Sequence, residues 1–199
     1  MTAERKLSLP PMTVEEFFAW DGGGHVGKLE LVDGYVRAMA PASATHSLIQ
    51  GNIVNDIKNQ LRGSKSHCRA APEAPVVPPL RKKINVRAPD ILVTCEPRSD
   101  SKVFEAPILI IEVMSPSNDD DTWETIATLA ALASLREIAV VQSTRVEVSV
   151  YTRNAAGAWP SDPVVTTAGG TIHLTCIDFD LPIAEVYRDT HLEPEPSGA

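Results

Sequence analysis

The 199-residue sequence is poor in cysteine and aromatic residues and has no long apolar run. No stretch reaches the roughly 18 consecutive apolar residues of a membrane-spanning helix, so we expect no membrane partner. Residues 1–13 contain no apolar core, which predicts a cytoplasmic protein without a secretory signal. Three widely spaced cysteines, at 68, 95 and 176, predict reduced thiols that act as small buried hydrophobes and argue against a zinc site.

Positive charge is also scarce, since 18 Lys and Arg against 26 Asp and Glu give a net charge of −8. This balance excludes a protein that coats nucleic acid with a broad basic surface. It does not exclude a nuclease, whose metal site is acidic. Contact with DNA would then come from a local patch, and the densest candidate contains Arg81, Lys82, Lys83 and Arg87. An exposed polar edge explains these four residues equally well.

Periodic patterns predict an α/β (α+β) fold with a mixed sheet flanked by helices. Asp33-Gly34 between two alternating runs predicts a hairpin. A helix capped by Ser43 or Thr45 should run to about residue 62, with a buried stripe at Ile49, Ile53, Ile57 and Leu61. Other helices are predicted at 13–20, 118–132 and 182–187, and strands at 84–95, 107–115, 137–142 and 145–152. A Gly-rich hairpin is predicted at 158–174, and a strand-like region at 68–78, where prolines suggest an edge strand or a bulge.

The length of the chain suits one hydrophobic core rather than two. Apolar residues make up 43% and charged residues 22% of the sequence, as in ordinary globular proteins. Both ends are polar and rich in proline. We therefore predict a flexible N-terminus at 1–12, a single domain at 13–192 and a flexible tail at 193–199.

Two acidic residues interrupt predicted core strands. Glu112 has apolar neighbours on both sides, and an ionised Glu there costs several kcal/mol unless a cation or hydrogen-bond donors compensate. Asp90 follows Pro89 in a segment where Asp is disfavoured. Alternatively, Glu112 reaches solvent at a strand end and Asp90 is a turn residue. A hard cation such as Mg²⁺ (or Mn²⁺) bound between the two carboxylates would explain why both acids lie within core strands. Such a cation would activate water and neutralise charge on a phosphodiester.

Four short motifs, in order along most of the chain, resemble those of the Uma2 family within the PD-(D/E)XK nuclease superfamily. Residues 29–34, LELVDG, resemble Y-E-L-x-D-G, with Leu29 in place of the aromatic residue. Ser43 and His46 resemble S-x-x-H, Pro89-Asp90 resembles P-D, and residues 112–117, EVMSPS, resemble E-V-x-S-P-S. The resemblance implies a restriction-endonuclease-like mixed β-sheet and Mg²⁺-dependent cleavage of DNA.

The same resemblance implies roles for individual residues. Asp90 and Glu112 would be the catalytic carboxylates that bind the metal, and Glu30 the upstream acid that ligates metal or orients water. His46 shares the inward face of its helix and would take part in catalysis. The residues themselves leave alternatives open, namely an exposed hairpin residue for Glu30 and a capping or core histidine for His46.

The sequence departs from the family at the lysine that positions the attacking water. The usual superfamily place, two residues after the Glu, is Met114 here. Uma2 proteins typically carry the lysine in the next helix as D-x-x-x-K, and Thr125 stands at that position. Loss of one charged transition-state contact costs about 10²–10³ in rate. Lys28, Lys82 and Lys83 are the candidates to replace it.

Our first interpretation is a Mg²⁺-dependent DNA endonuclease that hydrolyses phosphodiester bonds and is weak or inactive because the usual lysine is missing. In the second, the same fold is a non-catalytic module that binds a protein or a nucleic-acid end. The third is a small scaffold with an accidental pair of acids. We also predict a homodimer, because a two-fold suits cleavage of both strands and residues 147–152 would pair as an edge strand.

Overall fold

The computed structural model describes residues 5–25, 27–115 and 119–193, and these form four helices and eleven strands. The helices are α1 (Val14–Ala19), α2 (Ala44–Gly63), α3 (Asp119–Leu129) and α4 (Ile183–Val186), with 3-10 turns at Gly22–Gly24 and Thr175–Ile177. The strands are β1 (Arg5–Lys6), β2 (Leu29–Val32), β3 (Tyr35–Ala38), β4 (Arg69–Pro72), β5 (Ile91–Thr94), β6 (Pro107–Met114), β7 (Glu137–Gln142), β8 (Glu147–Thr152), β9 (Val164–Thr167), β10 (Thr171–Leu174) and β11 (Phe179–Pro182).

The central sheet has six strands in the order β4-β5-β6-β7-β8-β9. Strands β6 and β7 are parallel and are joined through α3, whereas the other neighbours are antiparallel. All eight residues of β6 are buried, which confirms the prediction of a strand covered on both faces. The mixed sheet flanked by helices confirms the predicted fold class.

Two apolar layers cover the central sheet. On one face, the predicted stripe of α2 is buried against β5 and β6 together with α4, β10 and β11. On the other face, Ile126 and Leu129 of α3 pack on Leu92, Ile110 and Met114. Because side chains alternate along β6, Glu112 shares the α3 face with Ile110 and Met114.

Local sequence signals account for the elements nearest the site. The N–H of His46 donates to Ser43 Oγ at 3.1 Å, so Ser43 is the N-cap that begins α2. Asp33 and Gly34 adopt φ values of 50° and 84°, the left-handed conformations that a two-residue hairpin turn needs. Strands β2 and β3 flank this turn as predicted.

A three-stranded sheet, in the order β1-β3-β2, carries this hairpin to the edge of the site. Leu31 and Val86 exchange backbone hydrogen bonds of 3.0 and 2.9 Å, so β2 runs antiparallel to the segment that leads to Asp90. The N–H of Leu7 donates to the carbonyl of Val36 at 3.0 Å. Residues 5–7, within the N-terminal segment predicted to be flexible, thus belong to this sheet, whereas most of the predicted tail lies outside the described residues.

Several predictions about the strands require correction. The strand expected at 84–95 is broken at Ala88–Asp90, where the chain passes from isolated bridges into β5. The hairpin expected at 158–174 is wrong, because β9 pairs with β8 while β10 pairs with β11. The expected edge at 147–152 is also wrong, since β8 lies between β7 and β9. The predicted edge strand near 68–78 is confirmed by β4.

The prediction of three reduced cysteines is wrong for two of them. Cys68 and Cys95 form a disulfide that links the end of β5 to the start of β4, and Cys176 is free. The strand register brings the two together, because Arg69 pairs with Thr94 and the cysteines come next on each strand. Among the described residues, no helix is long and apolar enough to cross a membrane.

Candidate active site

Asp90 and Glu112 meet where β5 begins and β6 approaches its end. Ile91 pairs with Ile111, so the preceding Asp90 lies opposite Glu112. The Asp90 N–H donates to Glu112 Oε2 at 3.3 Å, and the Val113 N–H donates to Asp90 Oδ2 at 2.8 Å. Both acids are buried, with exposures of 6% and 5%. The sequence-predicted pair of carboxylates is therefore brought together.

Two basic side chains face Asp90 from different elements. Lys28, immediately before β2, places Nζ 3.3 Å from Asp90 Oδ1. His46, in the first turn of α2, places Nε2 3.3 Å from Asp90 Oδ2. One turn further along α2, Gln50 Nε2 donates to the Asp90 carbonyl at 2.8 Å. Asp90 is thus held from both sides, and His46 contacts it through the ring while its N–H donates to the N-cap residue Ser43.

The acids differ in their electrostatic environments. Burial alone would raise the pKa of Asp90, but the His46 contact and the Lys28 charge lower that pKa to about 2. Burial, followed by repulsion from Asp90, raises the pKa of Glu112 well above its usual value. Burial opposes the charge on Lys28, yet Asp90, Glu112 and Glu30 together raise its pKa above the ordinary value. Such divergent shifts in one cluster are typical of functional sites.

One oxygen of the pair has an unmet bonding requirement. Glu112 Oε1 is buried without a hydrogen-bond donor within the described part of the chain. Leaving a carboxylate oxygen in this state costs free energy that a cation would remove. The oxygen set of Asp90 and Glu112 fits Mg²⁺ or Mn²⁺, since Mg²⁺ takes one or two carboxylates and completes its shell with water and phosphate oxygens.

Glu30 is buried rather than exposed on its hairpin. Its Oε1 accepts from the Ala88 N–H at 2.8 Å, and its Oε2 accepts from Arg87 Nη1 at 3.2 Å. Arg87 Nη2 in turn donates to Glu124 Oε1 of α3 at 2.8 Å. These bonds tie β2, the segment before Asp90 and α3 together around the carboxylates.

Arg87 was predicted in an exposed basic patch, but only 2% of it is exposed. Sequence reasoning therefore missed its place beside Glu30. The available signal was its position between Val86 and Ala88, both buried, in an otherwise apolar segment. A buried Arg is rarely tolerated without an acidic partner.

The position of the missing lysine and its three candidate replacements lie in three different parts of the structure. Thr125 is buried on α3, directly after Glu124. Lys82 and Lys83 are exposed beside the β2–β3 turn, where Arg81 pairs with Asp33 at 2.6 Å. This turn is five residues from Lys28 along the hairpin, a distance of roughly 16 Å. Of the three candidate lysines, Lys28 is the one in contact with an acidic residue of the site.

A second cluster of potential metal ligands lies at the other end of β5. His67, Cys68 and Cys95 place ligand atoms within 4.8 Å of one another, the one group of at least three His, Cys, Asp or Glu found so close together in the described ranges. The two sulfur atoms are bonded to each other, so neither is a thiolate that could bind metal. Asp90 and Glu112 therefore remain the candidate ligands for a hard cation.

The architecture is that of a nuclease-like α+β protein. It resembles the crystal structure of a "putative nuclease belonging to DUF820" from Anabaena variabilis, with a TM-score of 0.70, 18% identity and coverage of 89% of this chain and 98% of the other. "Uncharacterized protein slr1290" from Synechocystis is 29% identical over 153 residues, 75% of this chain and 78% of that relative. The profile of Uma2, "Putative restriction endonuclease", matches residues 14–184. The chain belongs to the Uma2 family, as its motifs predicted.

Proposed function

We propose that this protein is a metal-dependent DNA endonuclease that hydrolyses phosphodiester bonds at Asp90 and Glu112. The observation that carries the proposal is the convergence of two buried carboxylates, of which Glu112 Oε1 lacks a donor among the described residues. A purely structural pair of acids would satisfy each oxygen with a hydrogen bond. Membership of a family described as "Putative restriction endonuclease" supports the same reaction class.

Asp90 and Glu112 would hold Mg²⁺ or Mn²⁺ through their carboxylate oxygens. When bound there, the cation would polarise a phosphate oxygen and lower the pKa of a bound water. Val113 and Gln50 fix the orientation of Asp90 through its Oδ2 and its carbonyl. The apolar neighbours of Glu112 limit the entry of bulk water, which strengthens the interactions of its charge.

Glu30 and His46 act around these two ligands. Arg87 and the Ala88 N–H hold the Glu30 carboxylate, which then orients the chain entering Asp90 and presents negative charge to the site. His46 holds Asp90 Oδ2 through Nε2 and is placed to hold a proton during the reaction. Both roles, like the metal-binding roles of Asp90 and Glu112, are proposals.

Lys82 and Lys83 are proposed to contact DNA away from the cleaved bond. Both are exposed beside the β2–β3 turn, which lies roughly 16 Å from Lys28 by strand geometry, a span of about five base pairs of duplex. Each phosphate contact would steepen the salt dependence of binding by about 0.9 in log–log slope. The charge of −8 confines such binding to this local region.

The test is a plasmid-nicking time course with Mg²⁺ or Mn²⁺, with EDTA as the metal-free control. Wild type should nick DNA in the presence of metal, and Asp90→Asn should lower the rate at least 100-fold because it removes a metal-binding charge. Asp100→Asn, at an exposed loop position, is the matched control and should retain the wild-type rate. Equal cleavage by Asp90→Asn and wild type would contradict the proposal.

The second candidate function is a non-catalytic binding module on the same fold, which the neutral Thr125 favours. It predicts metal-dependent binding of nucleic acid or protein without any cleavage by wild type.

We further propose a cytoplasmic homodimer. In place of β8, the outer strand β9 would form its contact, since Val164 and Val165 are 70% and 52% exposed. Sedimentation of wild type and Val165→Lys tests the dimer, which the lysine should weaken.

A further inference from the structure

We propose that Lys28 is the catalytic lysine of this chain and supplies from the β2–β3 hairpin the charge that Thr125 does not supply from α3. The proposal rests on the function proposed above. The ammonium of Lys28 would contact the attacking water and a non-bridging oxygen of the scissile phosphate. The key observation is that Lys28 Nζ lies 3.3 Å from Asp90 Oδ1, beside the two carboxylates.

The backbone fixes the place from which Lys28 reaches the site. Its carbonyl accepts from the Met39 N–H at 3.0 Å, and the following Leu29 pairs with Ala38. Two residues further, Leu31 is bonded to Val86 in both directions. The start of β2 is therefore held to the same segment that delivers Asp90, and only the side chain of Lys28 has freedom to move.

The surroundings of Lys28 suit a charged catalytic group. Its side chain is 15% exposed, so the ammonium is mostly removed from water yet still open to a ligand. An ammonium has three donors, and the bond to Asp90 uses one. No second acceptor is bonded to it within residues 5–25, 27–115 and 119–193. Two donors therefore remain for a water and a phosphate oxygen.

A purely structural role explains the arrangement less well. As a counterion of Asp90 alone, Lys28 would repel a divalent cation bound to the same carboxylate. Asp90 already has His46 and the Val113 N–H as partners for its other oxygen. The charge of Lys28 is of most use when a phosphate joins the site, because it then offsets negative charge on the oxygens of the transition state.

The step itself balances without proton transfer to or from Lys28. The water oxygen bonds to phosphorus, the phosphorus–oxygen ester bond breaks, and the departing alkoxide takes a proton from solvent. The water loses a proton to solvent. Lys28 stays protonated throughout and acts through its charge and its N–H groups.

The experiment compares wild type, Lys28→Met, Lys28→Arg and Lys65→Met in single-turnover cleavage and in Mg²⁺ titration by calorimetry. Met matches the length of Lys without its charge. Lys65 is an exposed lysine 19 residues beyond His46, at the end of α2, and so roughly 28 Å away. We expect Lys28→Met to lose about 10²–10³ in rate at saturating Mg²⁺ with equal or tighter Mg²⁺ binding. Lys28→Arg should recover at least 10-fold, and Lys65→Met should match wild type.

Three outcomes would overturn the proposal. A wild-type rate in folded Lys28→Met would show that the charge is not needed. If saturating Mg²⁺ restores the cleavage rate of Lys28→Met, Lys28 only holds Asp90 in position. A wild type that binds Mg²⁺ but never cleaves would overturn the proposed function and the role of Lys28 with it, and it differs from the other outcomes because wild type itself fails. If Lys28→Met does not fold, Lys28→Gln, which keeps a donor for Asp90, carries the same expectations.

Discussion

The N–H of Asp90 donates to the carboxylate of Glu112 at 3.3 Å, and the N–H that follows Glu112, that of Val113, donates to the carboxylate of Asp90 at 2.8 Å. Each acid is thus held by a backbone N–H at or next to the position of the other acid. Since β5 and β6 are paired in the core, the two carboxylates keep their spacing without flexible side-chain contacts. Such rigidity is what a metal site requires of its ligands.

Binding of metal should raise the melting temperature of wild type. A ligand that binds only the folded state stabilises it by mass action, by about 2.7 kcal/mol at 100 times its dissociation constant. Asp90→Ala should abolish the rise caused by Mg²⁺ or Mn²⁺, because one carboxylate alone holds a divalent cation weakly. Thermal unfolding with and without metal measures the shift in melting temperature of wild type and of Asp90→Ala. Equal shifts in wild type and Asp90→Ala would remove the site from consideration.

Without metal, Glu112→Gln should be neutral or stabilise the fold by up to roughly 1–2 kcal/mol, because it relieves the repulsion with Asp90. Glu137 is the matched control, since it is also a fully buried Glu on a central strand. Its oxygens accept from Thr152 and from the N–H groups of Thr175 and Cys176. Glu137→Gln turns an amide N–H₂ toward a donor and should cost roughly 2–4 kcal/mol. Urea denaturation in EDTA measures the free energy of unfolding of both variants. A large loss of stability in Glu112→Gln would assign Glu112 a structural role.

The difference between wild type and Glu112→Gln should depend on pH. The pKa of Glu112 is higher in the folded state than its ordinary value of 4.5, so the folded state binds the proton more tightly. Wild type is therefore most stable relative to the variant below pH 4.5 and loses stability as the pH rises above it. The pKa of Asp90 is shifted the other way, to about 2, so its contribution is lost only as the pH falls below about 4. Urea midpoints from pH 4 to 8 measure the trend, and a constant difference would contradict it.

Reduction of the Cys68–Cys95 bond should lower the stability of the fold but leave the proposed metal site intact. The bond closes a loop with a sequence separation of 27, for which chain entropy predicts a loss of about 3–4 kcal/mol on opening. Cys95 follows β5 and Asp90 precedes it, so the two lie roughly 16 Å apart. We expect Cys68→Ser to lower the urea midpoint, Cys176→Ser to change it far less, and both to keep the Mg²⁺-induced shift. Loss of the Mg²⁺-induced shift in Cys68→Ser would show that the disulfide at one end of β5 affects metal binding at the other end.

The sequence was sufficient to predict the helices, the buried strand and the two acids, because these depend on short-range patterns. The four-residue stripe of α2 and the apolar neighbours of Glu112 are visible without tertiary contacts. The contact of Lys28 with Asp90 spans 62 residues and depends on how the hairpin packs, which no local pattern specifies. The Cys68–Cys95 pairing depends likewise on the register of β4 and β5. Sequence spacing alone therefore could not predict the Lys28–Asp90 contact or the Cys68–Cys95 bond.

Thr125→Lys tests whether the site needs the charge itself or its delivery from the hairpin. Thr125 is buried on α3 next to Glu124, which reaches Arg87 and through it Glu30, so this turn of the helix borders the site. In the Lys28→Met background, Thr125→Lys should restore Mg²⁺-dependent cleavage by about 10-fold or more, because an ammonium near the scissile phosphate offsets its developing charge. The gain should be smaller in wild type, where Lys28 already supplies a cation.

The measurement is a plasmid-nicking time course, and Thr125→Met is the control for the added length without charge. Glu112→Ala should abolish any gain, which ties the restored cleavage to the same carboxylates. An equal gain from Thr125→Met would point to packing rather than charge. No gain from Thr125→Lys in a folded protein that binds Mg²⁺ would mean that α3 does not direct position 125 at the phosphate. In that case, the charge at the carboxylates would have to come from the hairpin, through Lys28.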